Sequence, residues 1–143
     1  MLISTRGRYA LRVMIDLAEH QTEDYIPLKT IALRQGISEK YLESIVRMLV
    51  KAQLISGVRG KGGGYRLTRN PEQYTTGQIL QLTEDSLAPV SCLESGSATC
   101  DRAAECRTLP LWQGLNQVIT AYLNSVTLAD LMNRGESGDD YVI

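Results

Sequence analysis

The chain has 143 residues, enough for one modest hydrophobic core with an appended element. Hydrophobic residues make up 43% and charged residues 22%, an ordinary soluble composition, and no apolar run approaches the ~20 residues that span a bilayer. The stretch MLISTRGRYA carries neither an apolar signal core nor a cleavage site, so a cytoplasmic protein without a membrane partner is expected. The net charge of −1 conceals an asymmetry: residues 1–80 hold 12 Lys/Arg against 7 Asp/Glu, and residues 81–143 hold 3 against 9. A basic front half and an acidic back half point to a polyanion-binding part joined to a part with another task.

In chain order, Tyr9, Val13 and Leu17 and, beside them, Ala10, Met14 and Ala18 recur at helical spacing, predicting a helix from Thr5 to about His20 with a wide buried face. His20, the only histidine, is expected to meet the last carbonyls of that helix. Residues 21–25 are polar and read as a loop. Pro27 opens a short helix to Gln35, which Gly36 ends. Ser38 caps a third helix to about Ala52, with Leu42, Ile45, Val46 and Leu49 inward. Two helices joined through Gly36-Ile37-Ser38 make a helix-turn-helix, an arrangement whose second helix enters the DNA major groove N-terminus first. Its candidate DNA contacts are Ser38, Lys40, Tyr41, Glu43 and Ser44.

Residues 54–58 read as a strand, 59–64 as a glycine-rich turn and 65–68 as a returning strand. A basic hairpin tip after such a helix is the wing of a winged helix, with Arg59 and Lys61 as its DNA-contacting cations. A nucleotide-binding phosphate loop is excluded, because no Lys-Ser/Thr pair or helix start follows the glycines. The expected fold is therefore mainly α with a small β-hairpin: a winged helix-turn-helix followed by a long C-terminal helix. The divisions are residues 1–80 for DNA binding, 81–108 for a linker and cysteine-containing loop, 109–133 for a long apolar helix, packed on a partner or back on the first helix, and a short last helix, and 134–143 for a disordered tail.

All three cysteines, Cys92, Cys100 and Cys106, fall in the polar loop with the spacing C-x7-C-x5-C. An odd count in a cytosolic chain disfavours a structural disulfide, which leaves thiol chemistry or ligation of a soft metal or iron–sulfur cluster. After them Pro110 opens a helix with an apolar row at Leu111, Leu115, Val118, Ile119, Tyr122 and Val126, more than a small domain can cover alone. Enzyme activity is not expected, since a chain with one histidine offers no readable Cys/His pair and Asp139-Asp140 sits in the polar tail.

Residues 3–133 resemble the Rrf family of winged-helix transcription regulators, through Thr5-Arg6-Gly7-Arg8-Tyr9-Ala10, Gln35-Gly36-Ile37-Ser38 with Tyr41-Leu42-Glu43, and above all Val58-Arg59-Gly60-Lys61-Gly62-Gly63-Gly64-Tyr65. The resemblance implies a homodimeric regulator, expected to be a repressor, that pairs its long helix across a two-fold axis on a pseudo-palindromic operator in double-stranded DNA. It also implies an iron–sulfur cluster on Cys92, Cys100 and Cys106, 4Fe-4S ahead of 2Fe-2S, sensing iron, cluster status or redox and nitrosative stress. The sequence departs from the family at the fourth ligand. Leu109 stands where some members place a histidine, and Arg8 where others place an acidic residue of the partner subunit. Glu94, Asp101, Glu105, a small thiol or water remain. The alternative within the family is a cluster-free regulator controlled by thiol chemistry or by a metabolic protein partner.

Overall fold

The computed structural model describes residues 2–94, 96 and 100–136. Three helices come first: α1 (Thr5–Glu19), α2 (Leu28–Gln35) and α3 (Glu39–Lys51). Ser4 caps α1 by accepting from the Gly7 amide, and Ser38 caps α3 by accepting from the Tyr41 amide, each satisfying an N–H the helix cannot. Pro27 is itself the cap of α2 rather than its first residue, and Gly36 closes that helix at φ 64°, left-handed backbone suited to glycine. Of the inward rows the periodicity predicts, Ala10, Val13, Met14, Leu17 and Ala18 from α1, and Leu42, Ile45, Val46 and Leu49 from α3, are buried, whereas Tyr9 is only partly buried against the core.

The antiparallel hairpin pairs β1 (Ile55–Val58) with β2 (Gly64–Leu67) in the register Ile55 to Leu67 and Val58 to Gly64. A third segment, which the sequence shows only as loop, fastens it. Ile26 and Tyr65 exchange backbone hydrogen bonds of 2.9 and 2.8 Å, so the wing is held to the entry of α2. Gly64 makes this approach possible, since a Cβ there would lie 2.2 Å from the Ile26 carbonyl oxygen. Gly64→Ala is expected to lower stability by about 1–3 kcal/mol and to release the wing, read as an earlier thermal transition with weakened DNA binding.

A single turn of 3-10 helix (Pro71–Gln73) leads to Tyr74, fully buried, whose hydroxyl donates to the Leu54 carbonyl at 2.7 Å and accepts from the Thr68 and Arg69 amides. Helix α4 (Thr76–Thr83) follows, capped by Thr75. The chain then crosses the cysteine-containing connection to α5 (Leu109–Ser125) and α6 (Leu128–Glu136). Helix α6 returns to the first core: Leu128 is fully buried there and its amide donates to the Tyr74 carbonyl at 3.0 Å. Helical backbone thus continues to Glu136, past the expected start of a tail at 134, whose remainder, 137–143, lies outside the described residues.

Helix α5 departs from the single wide face its sequence suggests. Ile119 and Leu123 turn toward α4, while Leu111, Leu115, Val118 and Tyr122 are 61, 41, 65 and 55% exposed. Val126 belongs to neither row, being buried at the helix end. Among the described residues no helix is long and apolar enough to cross a membrane.

Candidate nucleic-acid interface and cysteine loop

An ion pair between buried Asp16 and the more exposed Arg34 joins α2 to α1. Asp16, with no exposed surface, accepts from Arg34 Nε at 3.0 Å and Nη2 at 2.7 Å, and from Gln35 Nε2 at 2.9 Å. Arg12 of α1 also donates to the Gln35 side chain and backbone carbonyl. The Asp16 carboxylate, chiefly through its hydrogen bond, holds the Arg34 guanidinium above its ordinary range. The single histidine behaves as expected, with His20 Nδ1 lying 2.8 Å from the Asp16 carbonyl oxygen at the end of α1.

With α2 fixed, the turn at residues 36–38 presents the start of α3 to solvent. Ser38, Lys40, Tyr41, Glu43 and Ser44 are all exposed on its first turns. Tyr41 leans edge-on against Tyr9 at 5.6 Å between ring centroids, and the Ser44 hydroxyl donates to the Tyr41 carbonyl at 2.8 Å. Arg59 and Lys61 project from the wing tip, which closes through a hydrogen bond from the Gly63 amide to the Gly60 carbonyl. Glu43 and Arg59 line one cleft between α3 and the wing, together with Arg47 and Lys51. These two cations the sequence reading missed. Arg47 lies one helical turn beyond Glu43 and Lys51 two turns beyond it.

The cysteine loop is fastened where it leaves α4. Glu84, at the exit of α4, accepts from the backbone and hydroxyl of Ser4, and Arg6 donates to the Thr83 carbonyl at 2.7 Å. The other end is the start of α5. Cys92 lies in a 3-10 turn (Ser91–Leu93), Cys100 opens a turn closed by the Ala103 amide, and both are exposed. Cys106 is half-buried, with its sulfur 3.4 Å from the Thr108 hydroxyl. That hydroxyl, and then the Thr108 and Leu109 amides, pull the Cys106 thiol below its ordinary range against a smaller opposing effect of burial.

None of the three cysteines is in a disulfide, and three thiols on one solvent-reached loop are a donor set that fits a soft, thiolate-seeking group. Among the described residues, no three His, Cys, Asp or Glu side chains are gathered as metal ligands in this conformation. Residues 95 and 97–99 of the loop lie outside the described ones.

An exposed second helix beside a basic hairpin is the architecture of the winged-helix DNA-binding proteins, and the fold belongs to that class. The family model described as "Rrf2: Iron-dependent Transcriptional regulator" matches residues 3–134, and the chain belongs to that family. It is similar to the HTH-type transcriptional regulator IscR of Pectobacterium atrosepticum, 38% identical over 136 residues that cover 95% of this chain and 82% of the relative. Among solved structures it resembles CymR (YrzC), the global cysteine regulator of B. subtilis, at 37% identity and TM-score 0.75, covering 93% of this chain and 97% of that one. It also resembles T. potens IscR, at 34% identity and TM-score 0.74, over all of this chain and 94% of the other. The protein is a DNA-binding transcription regulator of the Rrf2 type, not an enzyme.

Proposed function

We propose that the chain is a homodimeric repressor that reads a pseudo-palindromic operator and senses iron, iron–sulfur status or redox and nitrosative stress through a cluster on Cys92, Cys100 and Cys106. The observation that carries this reading is the position of the three thiols, on the one connection between α4 and the exposed helix α5. Residues 1–80 then supply the DNA-reading surface, 81–108 the sensor and 109–133 the dimer contact. An iron–sulfur cluster, when bound, supplies a group that oxygen, nitric oxide or iron shortage removes; 4Fe-4S is preferred to 2Fe-2S, and the fourth ligand is open.

The chain's own residues do the rest. Ser38, Lys40, Tyr41, Glu43 and Ser44 face the major groove, while Arg59 and Lys61 reach the adjacent minor groove or its phosphates. Glu43 can accept from cytosine N4 yet repels phosphates, so it selects partly by exclusion. Ordering the 92–106 loop against α5 favours one arrangement of the two recognition helices. A bias of a few kcal/mol suffices to change operator occupancy.

Anaerobic reconstitution tests the sensor. Wild type is expected to take up iron and sulfide and turn brown, and each single Cys→Ala variant to lose the colour and share one DNA-binding phenotype, because two thiolates hold iron poorly. A colourless wild type under reducing conditions removes the cluster. It would favour the cluster-free reading, for which the likeness to the cysteine regulator CymR is the specific support. Arg59→Ala is expected to weaken operator binding by about 1–3 kcal/mol in gel-shift titrations at fixed salt, and unchanged affinity would remove Arg59 from the interface.

A further inference from the structure

Major and minor grooves are separated by a sugar-phosphate strand. On the reading above, α3 occupies the first groove and the wing the second, so that strand has to pass between them. The space there is a cleft of about 540 Å³ with Arg47, Lys51 and Arg59 on its walls and Glu43 as its lone carboxylate. Glu43, Arg47 and Lys51 form a ladder at i, i+4 and i+8 along one side of α3. Among the described residues neither Arg47 nor Lys51 forms an ion pair. Val50 and Val58, which also line the cleft, are 37 and 46% exposed and offer apolar carbon to a deoxyribose. Cations on the walls and an apolar floor match the alternating chemistry of a phosphodiester strand.

We infer that the cleft between α3 and the wing seats one phosphodiester strand of the duplex, with Arg47 and Lys51 as its phosphate ligands. This rests on the DNA-reading geometry proposed above and adds two residues whose task differs from that of the base-facing ones. Arg47 and Lys51 supply affinity without sequence information, whereas Glu43 and Arg59, at the groove mouths, supply discrimination. Salt dependence separates the two tasks, because each phosphate contact releases counterions and each base contact does not.

The test uses the full chain, a duplex selected by it from a random pool, and a scrambled duplex of equal length. Arg47→Ala and Lys51→Ala should each reduce the slope of log affinity against log salt by about 0.9 per subunit, near two for a dimer. Both duplexes should weaken by the same factor. Arg47→Lys should retain the wild-type slope, and both side chains are exposed, so melting curves should coincide with wild type. An unchanged slope in both alanine variants, or weakening confined to the selected duplex, overturns the phosphate assignment while leaving the DNA reading intact. Failure of the wild type to select any duplex overturns both.

Discussion

Val118→Glu is expected to convert the dimer to a monomer and to abolish operator binding at concentrations where the wild type saturates it. Val118 is the most exposed of the four apolar residues along the outer face of α5, at 65%, and Leu115 and Tyr122 lie one turn to either side. If this face pairs with its copy, the substitution brings carboxylates into an apolar contact with no cation to meet them. Stranding a charge in this way costs several kcal/mol per ion, hence a rise in the dimer dissociation constant of a hundred-fold or more. One half-site then has to hold the protein alone. Sedimentation velocity at micromolar concentration reads the first effect and gel shift the second. The fold should survive, since the monomer leaves Val118 in water. A Val118→Glu protein that remains a dimer would remove α5 from the contact.

The second large effect is expected at Arg34. Arg34→Ala should destabilise the protein by about 1–3 kcal/mol, because it leaves the fully buried Asp16 carboxylate with Gln35 as its side-chain hydrogen-bond donor and His20 3.8 Å away, while solvent screening of the exposed Arg34 limits the loss. That is a large share of the 5–15 kcal/mol typical of a domain. Replacing both partners by apolar residues, Asp16→Leu with Arg34→Met, should recover much of the loss, since no stranded charge remains. The pH dependence has a definite sign. A cation whose folded pKa is raised contributes stability that is complete below its ordinary pKa and lost only as pH climbs through the raised one. The Arg34 side of the pair should therefore add no slope to stability between about pH 5 and 9. Urea unfolding of the two variants at several pH values checks both statements.

What the sequence revealed and what it withheld divide along the range of the interaction. Helices α1 to α3 and the wing are written locally, in i, i+4 apolar rows, in Ser38 and Gly36 at helix ends, and in the run of glycines between two alternating segments. The pairing of Ile26 with Tyr65, the meeting of Leu128 with Tyr74, and the bond between Asp16 and Arg34 join positions far apart in the chain, and no period announces them. Helix α5 shows a subtler limit. Periodicity marks its apolar residues, yet only the packing of α4 divides them into an inner and an outer row. For the nucleic-acid surface, the turn and the wing named the residues at their own tips. Arg47 and Lys51 follow Glu43 along α3 in the sequence, but only the hairpin folded opposite them brings them into one cleft with Arg59.

The two ends of α5 are held very differently. At its C-terminal end the Thr76 hydroxyl donates to the Leu123 carbonyl at 2.7 Å, the Thr76 amide donates to the Val126 carbonyl at 2.9 Å, and Val126 is buried. At its N-terminal end the helix begins directly beyond Cys106 with exposed Pro110 and Leu111. Seventeen residues make a rod of about 25 Å, hydrogen-bonded to α4 at one end and joined to the cysteine loop at the other. A tilt of roughly 5° about the Thr76 contacts would displace the other end by about 2 Å. On the function proposed above, a group ordering the cysteine loop would act at the end of α5 farthest from these hydrogen bonds.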